Sequence, residues 1–224
     1  MTDKPSVPSP KHSAEHTVSR GITWLPNALT LSRILTLPLL IFGIIGIDSH
    51  GADSIISPLL LIFLFILSAL TDFLDGYLAR LWHVTSDFGR MIDPIADKLF
   101  VAGCLIAFIA ITKGNPWVLI PALVIIGRDI FISGLREHTA LSGITLPPTQ
   151  IAKAKTALEM LALLLLLLGV CAFAAPVSTG DLGAEGLSHH LWQGGLICLW
   201  LAAALSAYTG GYYLHASFRQ KSSS

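Results

Sequence analysis

Six stretches of this chain are each apolar for about the length of helix that crosses a bilayer, and nothing else in the sequence restricts the fold as much. Crossing the hydrocarbon takes about 20 residues of α-helix, and in lipid every backbone N–H and C=O must be satisfied within its own segment. The stretches run from Leu25 to Ile47, Ile55 to Arg80, Met91 to Thr112, Trp117 to Arg136, Ala152 to Phe173 and Leu191 to Tyr213. Gly, Pro, Ser and Asp punctuate the intervals: DSHGADS at 48–54, KGNP at 113–116, SGITLPP at 142–148 and PVSTGDLGAEG at 176–186. Only 12% of residues are charged, about half the share usual in a soluble domain. The expected fold is all-α and integral to a membrane, with six transmembrane helices over residues 21–216. Polar tails at 1–20 and 217–224 flank it, and no internal repeat is visible.

Lysine and arginine in short loops set orientation, because they stay preferentially on the cytoplasmic side. Lys4, Lys11 and Arg20 precede the first stretch, Arg80, Arg90 and Lys98 surround the second connection, Arg136, Lys153 and Lys155 surround the fourth, and Arg219 and Lys221 follow the last. The alternate connections hold only Lys113, beside Asp48, Asp53, Asp181 and Glu185. Both termini are therefore expected in the cytoplasm. The first stretch lacks a small-residue cleavage site and reads as a retained anchor. A formal net charge of zero excludes the basic face that nucleic-acid binding needs. Cys104, Cys171 and Cys198 lie in apolar runs at no metal-ligand spacing and read as buried, inert thiols.

The chemistry concentrates between Asp72 and Asp97, in DFLDGYLARLWHVTSDFGRMIDPIAD. Asp72 and Asp75 lie near the end of the second stretch, and Asp93 and Asp97 near the start of the third. Residues three or four apart share a helix face, so each pair presents two like charges together. Ionisable groups at a membrane are costly without a partner. A short turn between the helices lets the two pairs converge on a cation. All-oxygen donors suit magnesium, manganese or calcium; His83, in the turn, is the one nearby imidazole. Gly76 and Gly89 leave room for a ligand to approach the backbone, and Arg80 is placed to meet a phosphate. Plainer readings exist. Asp93 followed by Pro94 also fits a helix N-cap with proline at the first helical position. Asp72 and Asp75 also fit an ion network with Arg80 and Arg90, and Asp87 a cap or a solvated turn residue. No such reading accounts for the four acids together with the interleaved glycines and arginine.

A second polar group lies in the fourth and fifth stretches. Arg128 sits inside an apolar segment and needs an anion there. Asp129 beside it can neutralise it; a phosphate can do so too, since Arg136 lies two turns on along the same face and Lys153 and Lys155 lie at the same edge. Positive-inside anchoring explains the two lysines equally well, and Glu137 offers a salt-bridge partner. Asn27, Thr30 and Arg33 recur at three-residue spacing on the first stretch, where they can reach a nucleotide or its phosphates.

The spacing D-x2-D-G-x2-A-R-x8-G-x3-D-x3-D, from Asp72 through Gly76, Ala79, Arg80 and Gly89 to Asp97, resembles the signature of the CDP-alcohol phosphotransferase family at every specified position. The resemblance implies a six-helix membrane domain, usually dimeric. It implies that Asp72, Asp75 and Asp93 bind a pair of divalent cations, Mg2+ or Mn2+. It makes Asp97 the general base and a further metal contact. It puts Asp72, Gly76, Ala79, Arg80 and Gly89 around the CDP group, where Asn27 and Thr30 would join them. PNALTLSR at 26–33, PALVIIGRDIFISGLRE at 121–137 and KAKT at 153–156 resemble the family members that pass the phosphatidyl group of CDP-diacylglycerol to sn-glycerol 3-phosphate. Arg128, Arg136, Lys153 and Lys155 are then expected around the acceptor's phosphate. Serine, inositol phosphate and phosphatidylglycerol are the alternative acceptors. Topology and resemblance together point to a bacterial inner membrane with a cytoplasmic site; a mitochondrial inner membrane is the alternative, although residues 1–20 are not rich in arginine as a transit peptide would be. A cation pathway, the reading from another class, would place polar groups at mid-membrane in several helices rather than at one edge.

Overall fold

A computed structural model describes residues 24–50, 56–82, 87–141, 150–174 and 182–221; within these, the side chains of 24–30, 48–50, 72–91, 182–185 and 215–221 and a few others are not described. The described residues form six helices: α1 (Trp24–His50), α2 (Pro58–Trp82), α3 (Asp87–Ile111), α4 (Pro116–Leu141), α5 (Gln150–Ala174) and α6 (Leu182–Lys221).

Local chemistry explains several helix ends. Ser57 caps α2, its Oγ accepting from the Leu60 N–H at 3.2 Å, and Pro58 follows at the first position, where its missing N–H costs nothing. Asn115 caps α4 in the same way, accepting from the Trp117 N–H at 3.0 Å, with Pro116 behind it. Between these helices α3 ends in a Schellman turn. Gly114 N–H bonds the Ile109 carbonyl at 2.9 Å and Lys113 N–H the Ala110 carbonyl at 3.1 Å, while Lys113 and Gly114 take φ values of 52° and 73°. The reading of Asp93 as an N-cap is overturned: α3 starts at Asp87, and Pro94 lies in its interior.

Side-chain contacts fix the helix directions. Gly169 meets Trp192 and Gly195 meets Leu166, so α5 and α6 run antiparallel. A Cβ at Gly169 would lie 3.0 Å from the Trp192 backbone, and one at Gly195 would lie 2.9 Å from that of Leu166, so bare α-carbons are what permit this contact. Arg33 meets Asp97 and Leu37 meets Gly103, so α1 and α3 run parallel. Trp117 meets Trp200 and Arg136 meets Tyr213, so α4 and α6 run parallel. α1 packs along both α2 and α3, and α2 reaches α3 through the Phe65 and Phe100 rings, 5.6 Å apart. α1 thus braces α2 and α3 together.

One core threads the bundle, built from Leu40, Ile44, Leu61, Phe100, Phe108, Ile125, Leu163, Leu166 and Leu199. The outward surface is equally apolar: Phe42 is 72%, Leu59 79% and Phe173 80% exposed. Such a belt would be an aggregation liability in water and is the ordinary state against lipid. Four helices carry windows long and apolar enough to cross a membrane, Pro94–Ile111, Pro116–Glu137, Lys153–Ala174 and Gly186–Leu214. Among the described residues α1 and α2 are apolar over the shorter Leu31–Ile47 and Pro58–Thr71. Cys104 and Cys171 are buried free thiols, and Cys198 is half-buried.

Candidate functional site

The acidic signature straddles the corner between α2 and α3. Asp72, Asp75, Gly76, Ala79 and Arg80 lie along the C-terminal part of α2, and Gly89, Asp93 and Asp97 along the N-terminal part of α3. Asn27 and Thr30 lie on the first turns of α1. Apart from Asp97, the side chains of these residues are outside the described set, as is His83.

Asp97 is 53% exposed, yet one of its oxygens accepts from Nη1 of Arg33, which is buried to 3%. A charge-assisted bond to an arginine fixes a carboxylate in one orientation. Arg33, read from its spacing as a residue that reaches a nucleotide, therefore holds the signature's last aspartate across the α1–α3 interface. Sequence reasoning missed this pairing because the partners are 64 residues apart.

Across from Asp97, α4 brings its own polar group to the same level. A cavity of about 110 Å³ between α3 and α4 is lined by Lys98 and Ala102 on one side and Ile125 and Asp129 on the other. In an antiparallel pair this pairing of positions sets Asp129 level with Lys98, the residue after Asp97. Both polar groups thus occupy one end of the bundle.

Arg128, Asp129, Lys155 and Glu159 form a connected network, with Lys155 and Glu159 buried and Arg128 and Asp129 half-buried. Asp129 Oδ1 accepts from Arg128 Nη1 at 3.0 Å and from Lys155 Nζ at 2.5 Å. Lys155, 2% exposed, also meets Glu159 at 2.8 Å, one turn along α5. Arg128 Nη2 donates to Thr209 Oγ1 of α6 at 3.0 Å. Arg136 Nη2 donates to the Tyr213 hydroxyl at 3.2 Å, with its guanidinium 5.2 Å from the centre of that ring. Lys153 is exposed, and it joins none of these contacts. Of the four basic residues expected around an acceptor, the structure joins Arg128 and Lys155 through one carboxylate and holds Arg136 on α6. Asp129 neutralises Arg128 here, as its adjacency allowed. Glu159, Thr209 and Tyr213 went unnoticed in the sequence, where nothing local marks the partner each meets on another turn or helix.

The described residues are helical, and four of the helices are long and apolar enough to cross a membrane, the build of an integral membrane protein. The pattern of the CDP-alcohol phosphatidyltransferase family matches residues 23–207, and the chain belongs to that family. Among its relatives is a protein of Cereibacter sphaeroides named CDP-diacylglycerol–glycerol-3-phosphate 3-phosphatidyltransferase, 37% identical over 210 residues, which cover 84% of this chain and 93% of the relative. A protein of the same name from Rickettsia typhi is 40% identical over 192 residues, covering 86% of this chain and 96% of the relative. One from Arabidopsis thaliana, whose name differs only in a final 2, is 38% identical over 170 residues, covering 71% and 70%.

Proposed function

We propose that this chain transfers the phosphatidyl group of CDP-diacylglycerol to sn-glycerol 3-phosphate, giving phosphatidylglycerophosphate and CMP. The observation that carries this reading is that Asp97 on α3 and the Arg128–Arg136 group on α4 lie toward the same end of the bundle. The names of relatives that align over most of the chain support it.

In this reading all six helices cross the membrane, the residues 21–216 act as one domain, and both termini and the site face the cytoplasm of a bacterial inner membrane. The aspartates follow the apolar part of α2 toward its C-terminal end and would sit at the polar boundary where a headgroup lies. A homodimer is the expected assembly.

The donors are carboxylates, the hard oxygen ligands that Mg2+ or Mn2+ prefers. Asp72, Asp75 and Asp93, with Asp97 as a further contact, would hold two such ions, which when bound neutralise the diphosphate charge as the bond to CMP breaks. Gly76, Ala79, Arg80 and Gly89, with Asn27 and Thr30, would surround the CDP group. Arg128, Arg136, Lys153 and Lys155 form the basic edge that attracts the acceptor's phosphate. Asp97, steadied by Arg33, accepts the proton of the acceptor hydroxyl. That oxygen bonds the phosphorus carrying diacylglycerol, and the bond to the bridging oxygen breaks, so that CMP leaves with it. A positioned base and an oriented acceptor account for this step without a covalent enzyme intermediate.

Purified protein in detergent, given CDP-diacylglycerol and Mg2+ or Mn2+, should pass label from sn-glycerol 3-phosphate into lipid, and EDTA should abolish the transfer. Label entering lipid from serine, inositol phosphate or phosphatidylglycerol instead would overturn the acceptor assignment. Full activity in EDTA would overturn the metal site.

A further inference from the structure

We propose that Thr209 and Tyr213 of α6 are positioning residues that set Arg128 and Arg136 as a two-pronged clamp for the acceptor's phosphate. The inference rests on the acceptor reading above and names the element that gives that site its geometry.

Helix spacing alone does not make Arg128 and Arg136 a pair. They lie eight residues apart on α4, roughly 12 Å along the axis. Their partners on the parallel α6, Thr209 and Tyr213, lie four residues apart, roughly 6 Å. Bonding the two arginines to two positions one turn apart draws the guanidinium of Arg136 back toward that of Arg128. Helical side chains lean toward the N-terminus of their helix, so Arg136 reaches this position without strain.

Both partners are built to hold still. Thr209 and Tyr213 are 3% and 2% exposed. The Thr209 hydroxyl donates to the Leu205 carbonyl at 2.9 Å, which turns its lone pairs toward Arg128. Tyr213 gives Arg136 two contacts, a hydroxyl acceptor and an aromatic face.

The arginines retain capacity for an anion. The Nε atoms of Arg128 and Arg136 are buried and have no hydrogen-bond partner among the described residues. Leaving such a donor unmet is unfavourable, and a phosphate with three acceptor oxygens could satisfy it. Lys155 is engaged on both sides, by Asp129 and Glu159. Among the described residues the network of Arg128, Asp129, Lys155 and Glu159 balances two cations against two carboxylates, and Arg136, held outside it by Tyr213, brings a further positive charge for the substrate.

The test is steady-state kinetics on the full-length protein in detergent, with sn-glycerol 3-phosphate and CDP-diacylglycerol varied separately. Tyr213→Phe keeps the ring and removes the acceptor; Thr209→Val keeps the shape and does the same. Each should raise KM for sn-glycerol 3-phosphate by about tenfold and leave KM for CDP-diacylglycerol within about twofold, with Tm lower by only a few degrees for the lost hydrogen bond. Thr209→Ser should restore the acceptor KM. Arg128→Gln and Arg136→Gln report on the acceptor reading itself. If the arginine variants raise the acceptor KM and the α6 variants do not, the positioning role is wrong and the reading stands. If no variant raises it, the acceptor reading fails. Parallel increases in both KM values, or a lower Tm with neither KM moved, would show a plain structural tie between α4 and α6 and would also overturn the proposal.

Discussion

Replacing Lys155 with methionine should destabilise the protein sharply, and replacing Glu159 as well should restore most of the loss. The Lys155 ammonium is 2% exposed and touches Asp129 at 2.5 Å and Glu159 at 2.8 Å. Asp129 keeps Arg128 at 3.0 Å when the lysine is gone, but Glu159, 3% exposed, loses its ion-pair partner. Breaking a buried pair from one side typically costs about 3–5 kcal/mol, because a charge remains without compensation. Methionine matches the lysine stem in length, so little of that comes from a cavity. A loss of about 3 kcal/mol, the lower end because Asp129 stays paired, corresponds to a Tm lower by roughly 6–12 °C for a chain of this size. Lys155→Met with Glu159→Met removes both charges, and buried pairs replaced by apolar groups are often neutral in stability. The double variant should thus lie within about 1 kcal/mol of wild type. Thermal unfolding in detergent, followed by circular dichroism across all four members of the cycle, gives the coupling directly. A single variant within 1 °C of wild type, or losses that simply add in the double variant, would refute the buried ion pair as an interdependent unit.

Three other substitutions probe different parts of the structure. Asp97→Asn should lower kcat by at least 100-fold while CDP binding stays largely intact, since it removes a proton acceptor and keeps the side-chain volume; near-normal turnover would reject the general-base role. Gly195→Ala would place a methyl 2.9 Å from the Leu166 backbone and force α5 from α6, costing about 1–3 kcal/mol, whereas Gly46→Ala meets nothing within 4 Å and should leave Tm unchanged.

What the sequence made legible depended on whether the signal was local. Apolar run length located all six helices, because lipid demands it segment by segment. It underestimated α6, read as Leu191 to Tyr213 but running from Leu182 to Lys221, since the polar turns at both ends are helical without being apolar. Hydropathy sees burial in lipid and is blind to a helix that continues into water. The spacing of Asp72, Asp75, Asp93 and Asp97 was readable because all four lie on two consecutive helices. Asp93 next to Pro94 misled as a cap because a proline at a helix start and one in a helix interior look alike over two residues. Arg33, Glu159, Thr209 and Tyr213 were not assignable, since their meaning lies in residues on other helices: Asp97, Lys155, Arg128 and Arg136.

These cross-helix ties share a physical logic. Apolar side chains bring no hydrophobic advantage when one helix leaves lipid for another, so association rests on packing and on polar bonds that lipid cannot replace. Each tie found here joins helices through a group that would be costly if left alone: Arg33 of α1 on Asp97 of α3, Lys155 of α5 on Asp129 of α4, Arg128 and Arg136 of α4 on Thr209 and Tyr213 of α6. All lie at the same end of the bundle. The opposite end is joined by aromatic and backbone contacts, such as Trp200 donating to the Trp117 carbonyl at 3.0 Å. Moving a helix at the polar end would strand a buried charge, and a buried charge has no intermediate position of low energy. The interactions that hold α1, α3, α4, α5 and α6 in register there also fix the orientation of Asp97 and the two arginines. Assembly of the site and assembly of that end of the fold are therefore one requirement on the sequence.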